Sequence, residues 1–135
     1  MASASAKKIR PKYLSLPALL FEIRMPVPAW VSVTHRISGA LLVFPFTAWL
    51  LFMLDASLAS EQGYEKIRTE YLALLPVKLG LLLFIWAFCH HLCAGIRHLA
   101  LDLHYGTDLP AARASSWAVL AVSIGLTLVI AVMLW

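Results

Sequence analysis

The sequence predicts an all-α membrane protein, with three transmembrane helices behind a short N-terminal interfacial segment. Three observations predict it. Hydrophobic residues make up 61% of the 135 residues and charged ones only 13%, where soluble domains carry about 25% charged residues. A chain this short has too small an interior to hide that much apolar surface from water. The apolar residues also gather into three runs long enough to cross a bilayer, and the charges flank those runs.

Residues 1–28 read as a basic, interfacial lead-in, and 29–135 as one three-span anchor domain. The lead-in opens "MASASAKKIRPKY", with lysines but no apolar run of the length a secretory signal needs. Pro17, Pro26 and Pro28 break "LSLPALLFEIRMPVPAW", so no single helix covers it. A short segment at the membrane surface is expected there, with Trp30 at headgroup level. The first span is expected over 29–54, where Pro45 predicts a kink. A polar connection follows, "DASLASEQGYEKIRTEYLALLPVK", with room for a short helix. Pro76 suits the first turn of the second span, expected over 75–103. That stretch exceeds the ~20 residues a crossing needs, so it must tilt or project. Gly106 and Pro110 mark a turn, and the third span is expected over 114–135, uncharged from Ser115 onward. No internal repeat or low-complexity segment is present.

The formal charge of +4 comes without a basic helix or aromatic–basic alternation, which argues against a nucleic-acid partner. Cys89 and Cys93 lie within an apolar run and read as reduced packing residues. Neither opens a C-x-x-C-H motif, which excludes covalently attached haem c. Lys7, Lys8, Arg10, Lys12 and Arg24 load the N-terminal arm. Lys66, Arg68 and Lys78 in the first connection are diluted by acids, and Arg97 and Arg113 bound the second. The positive-inside rule then places the N-terminus and the second connection at the cytoplasmic face.

Polar residues within the spans carry the functional signal. His91, Gly95, His98 and Asp102 are spaced i, i+4, i+7 and i+11, one stripe of a helix. Ser32, Arg36 and Gly39 form a similar stripe on the first span, with His35 beside them. Both stripes are expected to point inward at one level, and glycine lets a flat, bulky group or a backbone come close. His91 stands about 18 Å along the helix from its end, too deep to snorkel. Its ring is either hydrogen-bonded to another helix or an axial ligand of a haem. His90 points about 100° away and reads as structural or interhelical. His98 faces either a haem propionate or interfacial water, and His104 near the turn is expected to be solvated. Arg36 would cost about 2.5–3.5 kcal/mol at the centre of a span. It reads as a topology anchor, a partner for propionates or a group polarising a quinone carbonyl, with the Ser32 hydroxyl beside it. Asp102 reads as an arginine partner or a cap in preference to the alternative, a proton carrier. A small tetrahedral metal site is disfavoured, because no second ligand lies three or four residues from His91 on its stripe.

"RP" at Arg10–Pro11, "SVTHRISG" from Ser32 to Gly39 and "HHLCAGIRHLALDLHYG" from His90 to Gly106 together resemble the cytochrome b subunit of succinate dehydrogenase. The resemblance spans nearly the whole chain. It implies a subunit of respiratory complex II in the bacterial inner membrane, with its N-terminus cytoplasmic. Such a subunit anchors a flavoprotein and an iron–sulfur subunit together with a second hydrophobic anchor. Electrons from succinate pass through FAD and iron–sulfur clusters to ubiquinone, and haem b lies between the anchors. By this resemblance His91 is the axial ligand of the haem iron. His35 and Arg36, and His98 beyond them, belong to the propionate region. Ser32 and Arg36 match the quinone pocket. A haem-less structural anchor and a fumarate reductase anchor share this layout. A small proton- or metal-conducting protein built on the histidine run would need a continuous polar path, and the third span offers none.

Overall fold

Three long helices each carry proline at their second residue, where a missing N–H costs nothing and the ring presets φ. They are Val27–Leu58 with Pro28, Leu75–Asp102 with Pro76, and Leu109–Leu134 with Pro110. The computed structural model describes Pro17 and residues 24–134. The greater part of the expected interfacial lead-in, including Arg10 and Pro11, lies outside the described residues. Among the described residues there is no strand, and all three helices are long and apolar enough to span a membrane.

The first span runs continuously through Pro45 by widening into a π-turn at Leu42–Phe46. Pro45 supplies no N–H, and the ladder shifts by one residue around it. The Thr47 N–H and its hydroxyl both donate to Leu42 O, the hydroxyl at 2.7 Å. The kink expected from the sequence thus takes the form of a one-residue bulge. The connection does hold a short helix, Glu61–Lys66. Ser60 caps it by accepting from Gly63 N at 2.9 Å. The third span starts five residues before position 114, because Asp108 accepts from Ala111 N at 3.3 Å and caps it.

The second span ends in a Schellman motif. Tyr105 N donates to Ala100 O and His104 N to Leu101 O, both at 2.9 Å. His104 is exposed and takes the left-handed position, φ 64°, that the motif normally gives to glycine. His104→Gly should therefore raise stability by about 0.5–1 kcal/mol. Thermal unfolding of the purified protein would read this, and a fall would mean that the imidazole makes a stabilising contact.

The first and second spans lie antiparallel: Thr34 and His35 meet His90 and His91, while further along Phe46 meets Phe84 edge-on at 5.4 Å. The third span packs along the second and touches the first. Val31, Ala94 and Val119, one from each span, form the shared core, with Val27, Cys93 and Leu120 against it. Cys89 is buried and both cysteines are free thiols. The buried face of the third span is Ser116, Val119, Ser123 and Thr127. Their hydroxyls satisfy themselves on carbonyls of their own helix, at 2.7 to 3.1 Å, and small side chains let the backbones approach. The outward faces stay apolar, for example Phe88, Leu92, Ile96 and Leu99.

Candidate functional site

Antiparallel pairing brings two His-x3-Gly segments into register, His35 to Gly39 and His91 to Gly95. Each histidine lies over the other helix's glycine. A Cβ built on Gly39 would sit 2.7 Å from His91 Cε1 and 3.1 Å from Nδ1. One built on Gly95 would sit 3.5 Å from His35 Nε2. At Gly39 the His91 imidazole occupies the space a side chain would need, whereas at Gly95 an added Cβ would make ordinary contact with His35.

The His35 and His91 rings stack, with centroids 4.1 Å apart and planes 15° apart. His98 closes on the other side of His35, at 5.0 Å. His91 Nδ1 donates to His35 O at 3.0 Å, with Ser38 Oγ at 3.4 Å. No described residue bonds to its Nε2. A ring anchored through Nδ1–H on a carbonyl, with the Nε2 lone pair free, is the arrangement a metal-ligating imidazole requires. His35 Nε2 is buried and has no partner among the described residues, so this edge lacks a polar group that would complete it.

His90 is set apart from this cluster. It is fully buried, its Nε2 lies 2.8 Å from Thr34 Oγ1, and Trp86 stacks on it at 5.4 Å. The interhelical role read from the sequence is the one its contacts describe.

The first-span stripe is oriented differently from expectation. His35, Ser38 and Gly39 face the second span, whereas Arg36 is exposed and Ser32 half-buried. Arg36 and His35 are neighbours about 100° apart, and only one can enter a helix seam. The shorter imidazole stacks there. Ser32 and Arg36 remain one turn apart, on the flank next to His35 and Gly39, with no hydrogen bond from either side chain to the histidines among the described residues.

Arg97 departs further from the sequence reading. It does not bound a loop; it is 8% exposed, within the second span. Its Nε donates to Ser115 Oγ at 3.0 Å and its Nη2 to Ala112 O at 3.3 Å, tying the second span to the third. Asp102 is exposed, and among the described residues it forms neither an ion pair nor a capping hydrogen bond. Sequence reasoning passed over Thr34 and Arg97. The signal for Arg97 was its spacing of seven from His90, which puts both on one stripe. For Thr34 no signal precedes the structure.

The comparisons with known proteins agree with this architecture. The sequence profile described as succinate dehydrogenase/fumarate reductase transmembrane subunit matches residues 8–130. A succinate dehydrogenase cytochrome b556 subunit of Coxiella burnetii is 32% identical over 116 residues, covering 86% of this chain and 92% of that protein. The subunit of the same name from Rickettsia prowazekii is 32% identical over 106 residues, covering 77% and 79%. That of Paracoccus denitrificans is 30% identical over 103 residues, covering 75% and 76%. The chain belongs to the family of succinate dehydrogenase/fumarate reductase transmembrane subunits.

Proposed function

We propose that this chain is the membrane-anchor cytochrome b subunit of a succinate:quinone oxidoreductase, respiratory complex II. It holds haem b jointly with a second hydrophobic anchor subunit and forms part of a ubiquinone-reduction site. The flavoprotein and iron–sulfur subunits carry FAD and the clusters, so the chain is a subunit of the enzyme that is not catalytic alone. The observation that carries the reading is the His91 ring, bound to a backbone carbonyl through Nδ1 with Nε2 free.

The residues fit a haem. His91 would hold the haem iron through its free ring nitrogen, and a further ligand would come from the second anchor subunit. The His35 carbonyl fixes the tautomer and plane of that ring. His35 Nε2, buried and unpartnered, awaits an acceptor or donor such as a propionate oxygen. Arg36 and His98 are near enough in sequence register to serve the same propionate region. Haem, when bound, supplies a one-electron carrier.

Quinone reduction takes up two electrons and two protons. Arg36, exposed on the flank, can aim a guanidinium N–H at a quinone carbonyl, and Ser32 one turn earlier can add a hydroxyl. The remainder of the pocket falls to partner subunits. The N-terminus is cytoplasmic in a bacterial inner membrane, which places Ser32 and Arg36 at the cytoplasmic end of the first span, close to the electron-delivering subunits.

The purified complex should show sharp b-type bands in a reduced-minus-oxidised spectrum. Arg36→Ala and Ser32→Ala should each lower quinone reduction about tenfold or more. Succinate oxidation by an artificial acceptor at the flavin should hold. Normal quinone kinetics in both variants would place the quinone elsewhere.

A further inference from the structure

The two adjacent histidines of the second span meet two adjacent residues of the first. His90 Nε2 faces Thr34 Oγ1 at 2.8 Å, and His91 Nδ1 faces His35 O at 3.0 Å. The protons of these two contacts can be assigned from the hydrogen-bond network. The Thr34 hydroxyl has one proton, and Trp30 O, at 2.9 Å one turn back on the same helix, takes it. His90 must then donate from Nε2–H to Thr34 Oγ1, which leaves Nδ1 as a bare lone pair. The opposite assignment would leave a buried Nδ1–H with nothing to accept it among the described residues, where Nδ1 has no partner. Orphaned buried N–H donors are the rarer and costlier defect. His91 is held the other way round, with Nδ1–H donated to a carbonyl and the Nε2 lone pair free. Neighbouring imidazoles therefore carry opposite tautomers, each dictated by the first span.

One interhelical bond leaves a helix able to rotate about the contact, whereas two bonds about 100° apart on its circumference do not. His90 also cannot slip: it is 0% exposed and Trp86 lies on its face at 17°. We propose that Thr34 and His90 form a positioning clasp that fixes the rotation of the second span against the first and thereby sets the plane and depth of the His91 imidazole. His90 is a positioning residue in this scheme and touches no reacting atom. The inference rests on the reading of His91 as the haem ligand, because its consequence is expressed at that ligand.

The test uses the whole complex purified from membranes and reads the low-spin electron paramagnetic resonance signal of the ferric haem, which reports ligand plane and orientation. Thr34→Val keeps the shape and removes the hydroxyl. It should retain haem and flavin-site succinate oxidation while shifting or broadening the low-spin signal. Thr34→Ser, which restores the acceptor, should return the signal to wild type. At the other partner, His90→Gln puts an amide N–H where Nε2–H stands and should preserve the signal, while His90→Asn puts it at the Nδ1 position and should shift it. A wild-type signal in Thr34→Val overturns the clasp, and so does equal behaviour of His90→Gln and His90→Asn. Failure of Thr34→Ser or His90→Gln to assemble overturns it as well, since both keep the bond. The underlying ligand reading fails separately, if His91→Ala retains haem. Loss of haem in His91→Ala together with an unchanged Thr34→Val signal leaves that reading standing and removes the clasp alone.

Discussion

A complex carrying His91→Ala is expected to lose its b-type difference bands, while His90→Ala keeps its haem. The two residues are adjacent in sequence, yet their surroundings differ in kind. His91 spends one nitrogen on the His35 carbonyl and leaves the other free. His90 spends Nε2 on Thr34, is covered by Trp86 and has no exposed surface through which a planar macrocycle could approach. On the proposed reading, replacing His91 deletes the nitrogen that would hold the haem iron; the His35 ring belongs to the first span, and His98 lies seven residues further along the second. Replacing His90 loosens the helix pair and lets the His91 ring turn, but it does not delete that nitrogen. The measurement is haem per flavin in the purified complex, read from the reduced-minus-oxidised spectrum. Full haem in His91→Ala, or loss confined to His90→Ala, would reverse the assignment.

Gly39→Ala should be the second severe change, although it adds only one methyl group. Its Cβ would meet His91 Cε1 at 2.7 Å and Nδ1 at 3.1 Å. The ring cannot give way cheaply, because Nδ1 is bonded to His35 O and the His35 ring stacks on its face. Either the spans separate or the imidazole turns and loses its carbonyl. Overpacking of this type costs about 1–3 kcal/mol, and the geometry of the free nitrogen is lost with it. Haem per flavin and the thermal midpoint should both fall. Gly125→Ala is the internal control, since nothing lies within 4 Å of a Cβ there. In an exposed helix interior that change should be neutral or stabilising by up to about 1 kcal/mol. Equal tolerance of alanine at both positions would show that the His91 ring does not occupy the Gly39 notch.

Much of the site was legible as spacing. His-x3-Gly occurs on both spans, and any antiparallel pairing at that depth sets histidine against glycine. Facing was harder to read. His90, His91, Arg97 and His98 cover several sides of one helix, so no single polar stripe tells which side meets the first span. A buried residue normally declares itself by being apolar, and here the buried side includes His90, Arg97 and Ser116. Arg97 looked like a topology signal because an arginine within about one and a half turns of a helix end usually snorkels. Ser115 and Ala112 O hold it inside instead. Arg36 looked inward by its spacing from Gly39, and the narrower His35 took that place in the seam.

Hydropathy runs along the chain in one dimension, and in a bilayer a backbone that must satisfy its own polar groups has only the helix or the closed barrel open to it. The residue order therefore determined three apolar helices, the proline-marked start of the second and the level along the helices at which the histidines lie. The rotation of each helix about its own axis is a property of pairs, decided where side chains from different spans compete for the same seam. Only the tertiary structure decided that Thr34 meets His90, that His35 O meets His91, and that Arg97 turns to the third span, because the contact energies that set those rotations exist only once the helices are side by side.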